Sequence, residues 1–309
     1  AAPAAPAAPA APAAPAALAA PAAPAAPTVG DEGAAEIDTR YGVIPPLGPA
    51  RAAWCAGPPR CVMDMGFNSG QDSHFYLGGG HRVVAVDANP VLIAAGRRRF
   101  ADALVNGSLV LVPSGLIPVA ASRAAAATKL SFYQSKLDNV WSSFDARWGC
   151  RHPNNTPAAA GDINPAYCTE IRVPTRTCAA LIEEFGTPLM LKIDIEGRDT
   201  ACLESLWGLP EERRPDYVSV ENVTPAHVEL LQGLGYGRQK VVDQRVIHDR
   251  YIGQAALVGN SGPFGEAAID TVHGEGWASA EEVAARLPLP EQVGGVGVWY
   301  DLHGKRNGL

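Results

Sequence analysis

The stretch from Cys61 to Pro90 constrains the fold of this chain most, because two strand-like runs flank a glycine turn and a helix-length segment. The first run, CVMDM, is short and mostly apolar, and the second, RVVAV, is rich in β-branched residues and ends on Asp87. Both compositions are typical of buried strands. Gly66 and Gly70 lie in the turn, where the missing Cβ lets the backbone approach a ligand. We therefore predict a strand–helix–strand unit that binds a nucleotide-like ligand.

The spacing within this unit narrows the kind of ligand. Asp87 follows Gly66 by 21 positions, which places a carboxylate at the end of the second strand, where such units present it to ribose hydroxyls. The turn has the pattern D-x-G-x-x-x-G and lacks the close G-x-G pair that receives a dinucleotide pyrophosphate. Asp64 favours a cationic or hydrogen-bond-donating group nearby. The pattern therefore favours the amino-acid end of S-adenosylmethionine over a dinucleotide.

The opening of the chain has a different composition from the rest. Residues 1–27 are almost entirely Ala and Pro, and Pro at nearly every third position prevents a helix. We predict an extended, polyproline-like spacer here, and both a stalk function and a repeat expansion without function stay open. We expect residues 28–59 to form a turn-rich lead-in and 60–309 to form one domain with an insertion at about 117–175.

Charge and hydropathy exclude some kinds of partner. The net charge is −7, and the only cluster of basic residues is Arg97, Arg98 and Arg99, so a nucleic-acid partner is not expected. No stretch approaches the roughly 20 apolar residues that cross a bilayer. We expect a small-molecule or glycan acceptor as the partner and no membrane span.

The cysteines and glycosylation motifs bear on the compartment. The six cysteines include no C-x-x-C pair and show no zinc-ligand spacing, so a structural metal is not expected. Cys150 and Cys168 flank a polar, Pro- and Asn-rich segment that a disulfide could close. The motif N-x-S/T occurs at Asn106, Asn154 and Asn222 and matters only in a secretory compartment. Free thiols with chance motifs stay an alternative, and we favour the secretory-pathway lumen over the cytoplasm or an organelle.

Further strands bring more polar residues to the same edge of the predicted sheet. A third strand at Ser108 to Val112 is followed by Ser114, which could hold an adenine ring. The run LMLKIDIEG, residues 189–197, alternates so that Lys192, Asp194 and Glu196 share one face. Charges on a covered parallel strand are costly unless they pair and open toward a ligand. The alternative is a structural Lys192–Asp194 ion pair.

The carboxyl ends of these strands predict where the site lies. A strand from Tyr217 to Glu221 again ends on a carboxylate. Since the carboxyl ends of neighbouring parallel strands meet at one crevice, we expect Asp64, Asp87, Asp194 and Glu221 to face one region. Near the end of the chain, we predict one more strand at Ala255 to Val258, and the run VGVWYDLHGKR places Asp301 and His303 just after a closing strand.

Several motifs occur in an order that resembles a known family. They are VMDMGFNSGQDSHFYL, VVAVDANP, LKIDIEGRD, YVSVE, LGYG and WYDLHG, across roughly residues 60–305. Together they resemble the FkbM family of S-adenosylmethionine-dependent methyltransferases, with LKIDIEG as the most specific part. The chain departs from the commoner pattern at Phe67, where a small residue is usual, and at Asp87, where Glu is frequent.

The resemblance implies a fold, a reaction and a set of site residues. The fold would be an α/β, Rossmann-like, seven-stranded and mostly parallel sheet with helices on both faces, of the class I methyltransferase type. The reaction would be O-methylation of a hydroxyl on a sugar, a glycan or a small natural product. Asp194 and Glu196 would lie near the transferred methyl group. The residues predicted to hold the cofactor are Asp64, Gly66, Asn68, Gly70, Asp87, Asn89 and Ser114.

The chemistry of methyl transfer suggests individual roles. The sulfonium already activates the methyl group, so the protein must align the acceptor and remove the hydroxyl proton. Asp194 is the first candidate base, and His303 is the second because the ordinary histidine pKa lies near neutrality. Lys192 would orient a carboxylate or polarise the acceptor oxygen. No metal is predicted, because carboxylates without histidines are a weak metal signal.

Two other classes of protein fit part of the sequence. An NAD(P)-dependent oxidoreductase would share the fold and the ribose-binding carboxylate. A non-catalytic glycan-binding protein on a stalk would use the Ala/Pro spacer and the aromatic residues of the insertion. Both stay open at this point.

Overall fold

The computed structural model describes residues 54–118, 129–154, 156–159, 163–251, 261–268, 270, 274, 276–289 and 300–309, with no side chains for 248–251. All of them belong to the unit Asp38–Leu309. The predicted spacer and the predicted strand at Ala255 to Val258 lie outside the described residues, and the predicted domain limits stay predictions. Within the described part of the chain, every helix is too short or too polar to cross a lipid bilayer.

Strands and helices alternate along most of the described residues. The strands are β1 (Cys61–Met65), β2 (Arg82–Asp87), β3 (Leu109–Pro113), β4 (Gly115–Leu116), β5 (Lys129–Ser135), β6 (Cys168–Arg176), β7 (Met190–Ile193), β8 (Tyr217–Glu221), β9 (Arg238–Asp243), β10 (Ala278–Ser279) and β11 (Tyr300–Lys305). The α-helices are α1 (Gln71–Gly78), α2 (Pro90–Arg99), α3 (Ala101–Val105), α4 (Ala146–Gly149), α5 (Cys178–Phe185), α6 (Asp199–Ser205), α7 (Pro225–Gly233), α8 (Gln244–Tyr251) and α9 (Ala280–Ala284).

The main sheet has the strand order β10-β9-β11-β8-β7-β1-β2-β3. The run β3-β2-β1-β7-β8 is parallel throughout, and β11 is antiparallel to both of its neighbours, β8 and β9. This is the predicted Rossmann-like, mostly parallel α/β sheet. The two-residue strand β10 pairs with β9 at the edge and adds an eighth strand to the seven that we predicted.

Each face of the sheet is covered by helices because alternate residues of the central strands point to opposite sides. On one face, Met63 and Met65 of β1 pack in a core that contains residues of α5, α6 and α7. On the other face, Val62 packs in a second core with Tyr76 of α1. All five residues of β1 are buried, and Asp64 is the polar one. A buried carboxylate needs charged or hydrogen-bonding partners, and those of Asp64 are described with the site.

Several predicted boundaries are confirmed and others need correction. Strands β1 and β8 begin and end where the sequence pattern places them, and the Thr177 side chain caps α5 by accepting a hydrogen bond from Ala180 N. Helices α2 and α3 are separate because the backbone of Phe100, between them, leaves the helical conformation. Strand β7 ends at Ile193, because Glu196 has a positive φ of 51° and the alternation cannot continue to it.

The placement of Asp301 and His303 after a closing strand is wrong. Both residues lie inside β11, because residues 300–305 pair with β8 on one side and with β9 on the other. Asp301 is buried, and Gln244 Nε2 donates a hydrogen bond to its Oδ2 at 2.6 Å. His303 is buried between its cross-strand neighbours Ser219 and Lys240.

The predicted insertion carries a second, three-stranded sheet with the order β4-β6-β5. A disulfide between Cys150 and Cys168, which the sequence allowed alongside free thiols, is present beside this sheet. The other four cysteines also form disulfides, so that no cysteine of the chain is free. These pairs are Cys55–Cys61 and Cys178–Cys202.

Candidate active site

A cavity of about 180 Å³ opens at the carboxyl ends of the parallel strands. The sheet supplies one wall, and the insertion supplies a second wall that includes Phe132 and Phe144. The predicted site residues that line the cavity are Gly66, Asn68, Asp87, Asn89, Ser114, Asp194 and Glu196, and Glu221 joins them.

The turn after β1 requires glycine because two strand ends touch there. Gly66 has a φ of 101°, which disfavours any residue with a side chain. A Cβ at this position would also overlap the main-chain carbonyl oxygen of Asp194. Gly70 has a φ of 80° and lies against the rings of Phe67 and Phe100, so it shapes the turn from behind the cavity.

Asp87 is held at the end of β2 by the backbone of its neighbours. Its Oδ2 accepts a hydrogen bond from Asn68 N at 2.8 Å, and its Oδ1 accepts one from Asn89 N at 2.7 Å. Burial raises the pKa of Asp87 to about 6, although these two hydrogen bonds oppose the rise. The carboxylate therefore has a fixed orientation at the cavity wall, with lone pairs left for ribose hydroxyls.

The side chains of Asn89 and Ser114 already make hydrogen bonds within the protein. The Asn89 side chain caps α2 and accepts a hydrogen bond from Gln134 Nε2 at 2.9 Å. The Ser114 hydroxyl donates to the carbonyl oxygens of Gly115 and Pro174 at 3.1 and 3.3 Å. Both residues therefore fix the shape of the cavity where the insertion meets the main sheet.

Lys192 is the centre of a buried ion cluster behind the cavity. Its Nζ lies 3.0 Å from Asp194 Oδ2, 2.9 Å from Asp72 Oδ2 and 3.7 Å from Asp64 Oδ1. Burial disfavours the ammonium, but the three carboxylates together raise the pKa of Lys192 well above its ordinary value. The lysine is therefore charged at neutral pH, and the Lys192–Asp194 pair that we weighed as an alternative is present with two further partners.

Asp64 lies in this cluster and does not line the cavity. Ser73 Oγ donates a hydrogen bond to Asp64 Oδ2 at 2.6 Å, and Asp64 Oδ1 has no hydrogen-bond partner among the described residues. Burial raises the pKa of Asp64 to about 7, against the opposing effect of Lys192. Of the four strand-end carboxylates that we expected in one region, three reach the cavity and Asp64 stays behind it.

His303, the second candidate base, also lies away from the cavity. Its side chain is buried, and its Nε2 has no hydrogen-bond partner in the described part of the chain. Burial lowers the pKa of His303 to about 3, and the neighbouring Lys240 adds to the effect. Asp194 therefore lines the cavity, whereas His303 does not.

Three carboxylates meet at the rim of the cavity. One oxygen from each of Asp194, Glu196 and Glu221 can be chosen so that all lie within 4.8 Å of one another. Burial raises the pKa of Glu196 to about 7 and that of Glu221 to about 10, and the Asp194 charge adds to both. Glu221 is therefore protonated at neutral pH and can donate a hydrogen bond. The same three oxygens could instead hold a hard divalent cation.

Sequence reasoning did not find every residue of this site. Asp72 was missed because its contact with Lys192 depends on how α1 lies on the sheet, and no local pattern reports that. The contribution of the insertion was expected only in general terms. The cavity residues that it supplies are Phe132, Asn139, Val140, Ser142, Ser143 and Phe144.

Comparison with protein families identifies the group to which this sheet and site belong. The profile of the methyltransferase FkbM domain matches residues 64–237, which is more than half of the chain. The chain belongs to the FkbM methyltransferase family. The matched region runs from Asp64 through the LKIDIEG motif to the LGYG turn, as the sequence resemblance indicated. S-adenosylmethionine is the cofactor that this methyltransferase family implies.

Comparison with curated proteins finds no match for this FkbM domain. Among solved structures, the chain is similar to precorrin-6y C5,15-methyltransferase from Geobacter metallireducens GS-15, with 12% identity, a TM-score of 0.33, and 87% of this chain and 94% of the other covered. The C-terminal domain of precorrin-6Y C5,15-methyltransferase from Rhodobacter capsulatus has 15% identity and a TM-score of 0.33, with 83% of this chain and 86% of that chain covered. The structure described as StiE O-MT has 11% identity and a TM-score of 0.33, with 80% of this chain and 68% of that chain covered.

Proposed function

We propose that this FkbM protein is an O-methyltransferase that acts on a hydroxyl of a sugar, a glycan or a small natural product. The observation that carries the proposal is the Asp194 carboxylate, which lines the cavity while one of its oxygens is held by a buried ammonium. An oriented carboxylate at that place is suited to remove the proton of an acceptor hydroxyl.

The residues present fit S-adenosylmethionine. Gly66 and Asn68 of the turn line the cavity, and Asp87 presents a fixed carboxylate suited to the ribose hydroxyls. The acidic rim suits a cofactor that carries a sulfonium and an ammonium group. When bound, S-adenosylmethionine supplies a methyl group that its sulfonium makes electrophilic.

The role of Asp194 follows from how its two oxygens are used. Oδ2 lies 3.0 Å from Lys192 Nζ, whereas Oδ1 accepts no hydrogen bond from any described residue. The proton of the acceptor hydroxyl would therefore go to Asp194 while the hydroxyl oxygen gains the methyl group. Lys192 would keep the carboxylate oriented during this step, which is a positioning role because Lys192 does not line the cavity.

The remaining cavity groups favour a hydroxyl-rich acceptor. Glu196 has a pKa of about 7 and is present in both states near neutral pH, whereas protonated Glu221 can donate a hydrogen bond to a neighbouring hydroxyl. Phe144 adds an apolar surface on the opposite wall, which suits the C–H face of a sugar ring. We further propose the secretory-pathway lumen as the compartment, because all six cysteines are paired.

The test is transfer of a labelled methyl group from S-adenosylmethionine to fractionated glycans and small hydroxylated compounds. We expect Asp194→Asn to lower kcat about 100-fold or more, because a general base contributes that much. The exposed Asp102→Asn on α3 serves as the matched control. A parallel reaction with a chelator tests the cation alternative at Asp194, Glu196 and Glu221.

Two outcomes would reject the proposal. The assignment of the base fails if Asp194→Asn transfers methyl groups at the rate of the unmodified enzyme. The assignment to O-methylation fails if NMR of the labelled product places the new methyl group on nitrogen or carbon instead of oxygen. Loss of activity with the chelator, restored by added magnesium, would replace the metal-free reaction with a cation-assisted one.

A further inference from the structure

We propose that Asn106 and Asn154 carry N-linked oligosaccharides and that Asn222 does not. This inference does not rest on methyl transfer. It rests on the state of the cysteines, on the surface positions of two glycosylation motifs, and on the position of the third motif beside the cavity.

The pairing of the cysteines indicates the redox state of the compartment. The disulfides lie in three separate parts of the fold, at the start of β1, in the insertion and between α5 and α6. All six cysteines are buried, with at most 2% of their surface exposed. A chain with every cysteine paired is typical of an oxidising compartment. In eukaryotic cells, N-x-S/T motifs are modified in that same compartment.

Asn106 lies on an open surface. It follows α3, its side chain is exposed, and its Oδ1 accepts a hydrogen bond from Ser108 N at 2.9 Å. A Cβ at the adjacent Gly107 would meet nothing within 4 Å. The neighbouring Val105 is 89% exposed, which is unusual for an apolar side chain. An oligosaccharide on Asn106 would have room to project and would shield Val105 from water.

Asn154 lies in the loop that the Cys150–Cys168 disulfide closes. Its side chain is exposed, and its Oδ1 accepts hydrogen bonds from Thr156 Oγ1 at 2.7 Å and from Thr156 N at 3.3 Å. Neither Asn154 nor Thr156 lines the cavity. An oligosaccharide at this position would therefore leave the cavity accessible.

Asn222 differs because the fold uses both its backbone and the motif hydroxyl. Asn222 N donates to Tyr300 O at 2.9 Å, and His227 Nδ1 lies 2.6 Å from Asn222 O. Thr224 Oγ1 caps α7 by accepting from His227 N. Asn222 also follows Glu221, which lines the cavity. Although the Asn222 side chain is exposed, an oligosaccharide on it would adjoin the cavity wall at Glu221, so we assign this motif as unmodified.

The modification is a balanced group transfer. The amide nitrogen of asparagine forms a bond to the anomeric carbon of an oligosaccharide that a lipid diphosphate carries. The glycosyl–phosphate bond breaks, the amide loses a proton, and the lipid diphosphate leaves. The folded protein needs no catalytic group of its own for this reaction.

The first experiment uses the protein purified from its own cells. Treatment with a peptide N-glycosidase in ¹⁸O-labelled water converts each glycosylated Asn to labelled Asp, which peptide mass spectrometry detects. We expect the label at Asn106 and Asn154 and none at Asn222. Unmodified peptide at either of the first two sites, or label at Asn222, would overturn the assignment.

Matched variants keep the test independent of folding defects. In a eukaryotic secretory host, Thr156→Ala removes one motif and should lower the mass by one oligosaccharide, whereas Thr156→Ser keeps the motif and the mass. The pair Ser108→Ala and Ser108→Thr tests Asn106 in the same way. Equal masses for the Ala and Thr or Ser members of a pair would contradict the proposal. Since none of these readouts measures methyl transfer, failure of the proposed function would leave them unchanged.

Discussion

At the scale of single residues, the position of one ammonium group decides how the candidate base is held. Lys192 has three N–H donors and three carboxylate neighbours, but only Asp72 and Asp194 lie within 3.0 Å. Asp64 lies at 3.7 Å and keeps one oxygen without a hydrogen bond. The ion pair with Asp72 therefore opposes the electrostatic attraction of Lys192 to Asp64 and keeps the ammonium beside Asp194.

This balance predicts that Asp72→Asn impairs catalysis from outside the cavity. The Asn oxygen can still accept the hydrogen bond that Ser261 N donates to Asp72 Oδ1, but the Asn amide would then face Lys192 with a donor. Lys192 would move toward Asp64 and release Asp194. We expect kcat to fall ~10- to 100-fold, because displacement of a catalytic group by about 1 Å has that effect.

The measurement compares kcat with the affinity for S-adenosylmethionine by calorimetry. A positioning role predicts a lower kcat with unchanged cofactor affinity, and a lower Tm because a buried ion pair loses one partner. The exposed Asp102→Asn serves as the control for loss of one carboxylate. A parallel loss of kcat and cofactor binding would show instead that Asp72 only supports the fold.

At the scale of elements, the site depends on the contact between the ends of β1 and β7. Gly66 allows this contact, because any Cβ would overlap the carbonyl oxygen of Asp194. The next wall comes from the small sheet β4-β6-β5, which brings Phe132 to the cavity. The cavity therefore lies between two sheets, and a substitution where they meet affects both of its walls.

Gly66→Ala is predicted to be more harmful than an ordinary glycine substitution. Gly80 also has a positive φ, of 80°, but a Cβ there would meet nothing within 4 Å. Gly80→Ala therefore measures the backbone strain alone, which is about 1–2 kcal/mol for a left-handed residue. We expect Gly66→Ala to reduce the free energy of unfolding by more than this and to weaken binding of S-adenosylmethionine. Equal effects of the two substitutions in urea unfolding would contradict the close contact.

At the scale of the whole molecule, buried ionisable groups link stability to pH. His303 is neutral inside the sheet, and burial lowers its pKa from the ordinary 6.5 to about 3. A lowered pKa means that protonation favours the unfolded chain. The contribution of neutral His303 is therefore fully present above about pH 6.5 and is lost as the pH falls toward about 3.

His303→Gln tests this link because glutamine does not titrate. The free energy of unfolding of the unmodified protein should fall more steeply between pH 7 and pH 5 than that of the variant. Denaturant unfolding at several pH values measures both slopes. The other buried acids titrate in both proteins, so the difference between the slopes isolates His303. Parallel slopes would show that the pKa of His303 is not lowered in the folded protein.

The sequence predicted the parts of this molecule that depend on local patterns. Strands β1 and β8 were bounded correctly because their apolar runs end at a glycine turn or a carboxylate. Because the carboxyl ends of parallel strands converge, the sequence also predicted that Asp87, Asp194 and Glu221 face one region, and all three line the cavity. These features follow from short-range chemistry and from a general property of parallel sheets.

Packing between distant parts of the chain decided the rest. Asp64 and Lys192 belong to neighbouring strands, but only the position of α1 shows that Asp72 completes their cluster. His303 was misplaced because pairing of β11 on both sides extends the strand beyond its apolar residues. The sequence alone thus determined the fold class, the family and the edge of the sheet that carries the site. Only the tertiary structure decided which charges reach the cavity, because burial and cross-strand contacts depend on residues far apart in the chain.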